Sequence, residues 1–199
     1  MNIILRNFSL SHFASLSRRV PLKATAAVLA ASLALTACSM HEQRDAPEPL
    51  SEGQILQIMH SLNTDEIDQA ELAIRDSDNR AVRDVAQHIL RDHTESNERI
   101  KAQIESEEDL EESTLNNALT MQLTSTREEM SQLSGTEFDC FYLTSQVEQH
   151  ELALDIVRSQ LQPDAEETDV QSMLESTEDW LGHHLEAAEQ ARISLDECS

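Results

Sequence analysis

The sequence predicts an all-α protein folded as an antiparallel bundle, and its punctuation and periodicity carry that prediction. Only 3 Gly and 4 Pro occur in 199 residues, too few breakers for a sheet protein full of tight turns. Apolar residues from Ile55 to Leu195 recur at steps of three and four, the spacing of a single helix face. No strand-like alternation bounded by turn signals competes with that pattern.

Ahead of the bundle, residues 1–37 read as a removable signal peptide. Arg18, Arg19 and Lys23 precede an apolar run from Ala24 to Leu35. A membrane-spanning helix needs about 20 apolar residues, so this run is too short to serve as one. The following Leu35-Thr36-Ala37-Cys38 resembles the lipobox of bacterial lipoproteins, in which the cysteine accepts diacylglycerol before cleavage. Cys38 is therefore expected to be the lipid-bearing first residue of the mature protein. By the same resemblance, Ser39 after it implies sorting to the outer membrane, facing the periplasm. Ser17 to Lys23 also resembles a twin-arginine export motif, with Pro21 where an aromatic residue is usual, and an ordinary secretory signal is the preferred reading. Residues 38–50, polar and carrying Pro47 and Pro49, are expected to form a lipidated tether, and residues 51–199 the bundle.

Charge narrows the partners. The chain carries −24, and since residues 1–37 hold four cationic side chains and no acid, residues 38–199 hold −28. Such a surface repels nucleic acid and anionic headgroups, which argues against both as partners. The expected contact with membrane is through the lipid on Cys38. The charge itself is read as serving solubility.

The elements follow in order. Ser51-Glu52-Gly53-Gln54 is a capping box, with Leu50 and Ile55 placed as a hydrophobic staple around it. The first helix, Glu52–Asp76, carries Ile55, Met59, Leu62, Ala70 and Ala73 on one stripe, with Glu66 among them. Asp78 or Asn79 caps the second, which runs to about Ser106 with Val82, Ala86, Ile89, His93, Ile100 and Ile104 in line. Glu105–Thr114 is an acidic break, and a short third helix spans about Leu115–Leu133. Ser134 to Glu137 has the pattern of a second capping box, opening a fourth helix striped by Cys140, Leu143, Val147, His150, Leu154, Val157 and Leu161. Pro163-Asp164 punctuates the chain, and Asp164 with Glu167 is placed to cap a fifth helix. Its stripe is Val170, Leu174, Thr177, Leu181, His184, Ala188, Ala191 and Leu195. Short connections make helices one and two, then four and five, antiparallel neighbours, joined through the short third. Four long helices plus one short connecting helix is the layout of a ferritin-like bundle.

Three histidines, His93, His150 and His184, lie on the core stripes of three helices, and Glu66 lies on that of a fourth. Imidazole nitrogen with one carboxylate oxygen suits zinc, copper, iron or nickel, so these four residues are the candidate ligands of one transition-metal ion. Counting outward from the turns puts Glu66 and His93 at similar heights. It leaves His150 and His184 about 7 Å apart at a helical rise of 1.5 Å per residue. The alternative is a purely structural or interaction module, with each histidine hydrogen-bonding a carboxylate or a backbone carbonyl inside the core. Di-iron bundles place Glu-x-x-His on two helices. Here Leu90, Val147 and Leu181 stand three residues before the histidines, so that oxidase site is absent. No nucleophile elbow, phosphate loop or zinc-protease signature occurs either, and an enzyme is not expected. His60, His88 and Asp92 are read as surface or rim residues. Cys140 opens the fourth stripe and Cys198 follows the fifth helix, so antiparallel packing brings them to the same end, as a disulfide or as two free thiols.

The chain also resembles a family of ferritin-like "domain of unknown function" proteins of the bacterial envelope, often labelled outer-membrane proteins. The residues that carry the resemblance include Leu62-Asn63 with Glu66-Ile67, Asp92-His93-Thr94 with Asn97, and Leu133-Ser134-Gly135 with Phe138-Asp139 and Tyr142. Val147 with His150, and Leu181 with His184-Leu185, complete them. The resemblance covers about Leu50–Ala191. It implies a ferritin-like fold and marks Glu66, His93, His150 and His184 as motif positions, but it implies no activity. Asp179-Trp180 stands where a proline is common in the family.

Overall fold

The computed structural model describes residues 48–104, 110–195 and 198. The expected signal peptide, Cys38 and most of the tether lie outside the described residues. So does part of the acidic break, 105–109. All described residues fall within a unit spanning Ala46–Ser199, and among them every regular element is helical.

Helix α1 is Glu52–Asp76. Its capping box forms: the Gln54 backbone N–H donates to Ser51 Oγ, and the Ser51 N–H donates to Gln54 Oε1, each at 3.2 Å. Ser77 turns extended and ends the helix. Asn79 then caps α2, Arg80–Gln103, by accepting the N–H groups of Ala81 and Val82 at 2.8 and 3.4 Å. A connection this short leaves the two helices antiparallel.

Helix α3, Thr114–Met130, opens on Ser113, whose hydroxyl accepts the Asn116 N–H. The third helix thus begins inside the stretch read from sequence as a break and ends before Leu133. Its foot sits beside that of α1, where the Glu111 N–H donates to the Gly53 carbonyl. Its upper end reaches α1 again through Arg127, which bonds both Asp65 and Asp68. The third helix is therefore more than a link, since it runs alongside α1 in the same direction and forms a fifth wall.

Helix α4, Gly135–Ile156, starts on Gly135 at φ +58°, a conformation suited to glycine. The second capping box expected there does not form, because the Ser134 side chain makes no cap hydrogen bond. The helix continues through a wider π-helical stretch, Val157–Leu161, and a last turn, Gln162–Asp164. Helix α5 is Thr168–Ser194. Its first turn is not capped by its own neighbours as expected. Glu52 of α1 reaches across, and its Oε1 accepts the N–H groups of Glu166 and Glu167. Asp164 instead accepts the Leu50 N–H at 2.8 Å. The Glu166 and Glu167 donors lie just ahead of α5, so the Glu52 carboxylate fixes the turn that enters the helix and sits near its positive end.

Two apolar clusters fill the interior. At the foot, Ile55, Ile58 and Met59 meet Ile100, Leu119, Leu154, Leu161, Val170 and Leu174. At the head, Ala70 and Ala73 meet Val82, Ala86, Met130, Phe138, Leu143 and Ala188. Following each helix from one cluster to the other shows α1 and α5 running one way, and α2 and α4 the other. Between the clusters lies a buried polar layer: Asn63, Glu66, Gln69, His93, Gln146, Gln149, His150 and His184.

Cys140 and Cys198 are joined at the head by a disulfide that closes a 58-residue separation. Chain entropy gives such a link about 4 kcal/mol. Cys140→Ser, or reduction, is expected to lower the denaturation midpoint by a comparable free energy. Equal urea midpoints with and without reductant would show that the bond contributes nothing.

Candidate metal centre

Each histidine arrives on its own helix. His93 lies on α2, His150 on α4 and His184 on α5, at 2%, 1% and 3% exposure. The stagger expected between the last two is absorbed at the turn. Helical structure runs 14 residues past His150 to Asp164, and α5 begins at Thr168, 16 residues before His184. Those two residues are worth only about 3 Å, and the extended Ala165 and Glu167 take up the rest. The rings meet: His150 Nε2 lies 3.3 Å from His184 Nδ1, and one nitrogen from each of the three histidines falls within 4.8 Å of the others. Trp180, one turn before His184 on α5, packs on the His93 ring at 4.6 Å and on the His184 ring at 5.2 Å between centroids.

The outer nitrogens are all engaged. His93 Nδ1 lies 2.9 Å from Asn63 Oδ1. The Asn63 amide nitrogen donates to Ser96 Oγ and Asn97 Oδ1, which fixes the amide's orientation and leaves its oxygen to accept from His93. His150 Nδ1 donates to the Gln146 carbonyl at 2.9 Å. His184 Nε2 donates to Asp92 Oδ2 at 2.8 Å. These bonds assign the protons. The remaining nitrogen of each ring is therefore a lone-pair acceptor, and those of His150 and His184 face each other. His93 Nε2 has no hydrogen-bond partner among the described residues.

Electrostatics keeps the rings neutral. Burial, then the neighbouring His150 and His184, pushes the His93 pKa well below the ordinary histidine value. Burial, followed by His184, brings His150 down to about 3. His184 is lowered by burial against the opposing pull of Asp92. Although burial raises Asp92, hydrogen bonds from Arg91 and His184 hold it below the usual carboxylate range, so it stays ionised. Three neutral imidazoles, oriented by a carboxylate, an amide and a backbone carbonyl, can supply three nitrogens to a cation.

Glu66 occupies the same layer but stands outside the cluster, and none of the three rings bonds it. Burial raises its pKa to about 8, with the Gln146 hydrogen bond opposing and Asp65 adding to the rise. Among the described residues its Oε2 lacks a partner, as does the buried Tyr142 hydroxyl. Asp92, read from sequence as a rim residue, is the carboxylate that reaches the histidines. It neighbours His93 in sequence, but helical geometry turns it onto the face that meets α5, and nothing in the sequence names α5 as the partner of that face. The spacing of Trp180 and His184, four apart on one helix face, was a readable signal.

A family model described as a domain of unknown function (DUF4142) matches residues 37–191. No curated protein and no solved structure matches the chain.

The buried titrating groups set a pH dependence of stability. An unfolded histidine protonates near pH 6.5, whereas His150 resists protonation to about 3. His93 and His184 are lowered as well, so the unfolded state binds more protons than Glu66 offsets, and stability falls as pH falls below about 6.5. Glu66 works the other way. Its contribution is complete below its ordinary value of 4.5 and is lost as pH rises through about 8. Stability of the metal-free protein is expected to peak near about pH 6.5 and to decline above it by at most about 1.4 kcal/mol per pH unit. Glu66→Gln should flatten the alkaline limb and steepen the acid limb between about pH 4.5 and 6.5, where Glu66 opposes the histidines. Urea unfolding across that range measures both, and an alkaline limb unchanged in the variant would remove Glu66 as its cause.

Proposed function

We propose that this chain, which belongs to the DUF4142 family, is an envelope lipoprotein whose ferritin-like bundle holds one transition-metal ion on His93, His150 and His184. The observation that carries this reading is the convergence of three inner imidazole nitrogens whose outer nitrogens are already bonded. Two lone pairs 3.3 Å apart repel each other unless an electrophile lies between them. Nitrogens bound to one tetrahedral ion at 2.0–2.1 Å stand about 3.4 Å from each other. The His150–His184 edge is already at that spacing, and His93, within 4.8 Å of both, closes the triangle with a shift of at most about 1.5 Å.

The nitrogen donor set suits zinc, copper, nickel or iron. Asp92, Asn63 and the Gln146 carbonyl orient the rings, a role in which such residues influence affinity without touching the ion. Glu66 serves this site as a wall rather than as a fourth ligand. The ferritin-like assignment is supported by the directions of the four long helices, up, down, down and up, with a helical crossover between the hairpins. The lipoprotein assignment is supported by the basic, then apolar, then Leu35-Thr36-Ala37-Cys38 pattern.

Purified protein, freed of metal and titrated with zinc, copper(II), nickel or iron(II), is expected to bind one equivalent and to melt at higher temperature. Alanine at His93, His150 or His184 should abolish the equivalent. Asp92→Asn should weaken binding by about 10- to 100-fold while leaving the stoichiometry at one. If none of the four metals binds or raises the melting temperature, the histidines are core hydrogen-bonding residues of a structural module.

A further inference from the structure

A narrow cavity of about 40 Å³ leads to the histidine cluster between α1, α3 and α4, with α5 closing one side. Most of its wall is apolar, including Leu119, Leu123, Ala153 and Leu181. Two further wall residues, Val157 and Leu161, belong to the π-helical stretch of α4, and π-helical turns inside α-helices concentrate at functional sites. At its polar end stand Glu66, His93 and His150. Of these, His93 Nε2 and Glu66 Oε2 are buried without hydrogen-bond partners among the described residues.

Size and lining define the guest. An apolar cavity of about 150 Å³ takes benzene or xenon, so one several-fold smaller takes a molecule of only a few heavy atoms. A water molecule needs two to four polar partners, which the cavity offers at the end where His93 Nε2 and Glu66 Oε2 stand but not along its aliphatic wall. An ion would lose its hydration there without compensation. An uncharged diatomic molecule meets both limits. A metal ion held by three protein ligands keeps a further coordination position, and the cavity meets the cluster at the His93–His150 edge.

We propose that this cavity admits an uncharged diatomic molecule, of the class of dioxygen and nitric oxide, to the His93–His150 edge of the cluster, where a bound metal ion has its open position. The coordination step rests on the metal reading above, whereas entry into the cavity does not.

Two experiments on the purified protein separate these parts. Xenon under a few atmospheres, applied to the metal-free protein, is expected to shift the methyl resonances of Leu119, Leu123 and Leu181. It should leave Val82 and Ala86 in the head cluster unmoved. Ala153→Leu, which fills the cavity from α4, is expected to abolish the shifts while circular dichroism shows the bundle intact, and Leu123→Phe provides a second block if the first variant fails to fold. Nitric oxide added anaerobically to iron(II)-loaded protein should then give the electron paramagnetic resonance signal of an iron nitrosyl. Ala153→Leu should slow its formation at least tenfold with iron content unchanged. If neither xenon nor dioxygen under pressure, the latter read by its paramagnetic relaxation, affects those methyls, the cavity is closed to small apolar guests and the proposal fails. Xenon entry with stoichiometric iron but no nitrosyl would overturn delivery to the site. Xenon entry without retained metal would overturn the metal reading and the coordination step with it.

Discussion

A buried polar layer sits across the middle of this bundle, and its hydrogen bonds decide how the helices align. Each unpartnered buried polar atom costs about 1–3 kcal/mol. All four long helices contribute to the layer, through Asn63, Glu66 and Gln69, through His93, through Gln146, Gln149 and His150, and through His184. Apolar burial above and below drives association but is tolerant of sliding. The layer is not, because a one-turn slip of any helix would press these groups into aliphatic surroundings. Hydrophobic area thus holds the bundle together, and hydrogen bonding fixes its register.

Ties at both ends hold that register from outside the layer. At the head the Cys140–Cys198 disulfide joins the start of α4 to the chain beyond α5. At the foot Glu52 holds the turn that leads into α5, and Asp164 takes the Leu50 N–H. Each foot contact spans more than 100 residues of sequence, so the two hairpins are stapled together there. The histidines lie between these ties, on elements rather than loops. Their ring orientations are settled by folding rather than by any ligand.

The sites where local rules fail are informative. The Ser134 capping box gives way to a left-handed Gly135, and α4 widens into a π-helical stretch beside the cavity. Glu66 is buried without a cationic partner and keeps its proton to about pH 8. A stable bundle needs none of these departures, and the last two border the cavity that ends at His93 and His150.

By itself the sequence determined the helical class, the long stripes and the inward direction of His93, His150 and His184. Those follow from a period of 3.6 residues acting within one helix, which a linear pattern records. Ser51 was legible as a cap, and Asn79 as one of two candidates with Asp78, for the same reason, since each cap bonds residues two or three positions away. Only the tertiary structure decided that Asp92 and not Glu66 reaches the histidines, that Asn63 holds His93, and that Glu52 holds the turn before α5. These bonds join different helices, and which helical faces meet depends on packing rotations and on the stagger of the Ala165–Glu167 turn. A single chain's spacing carries no record of either.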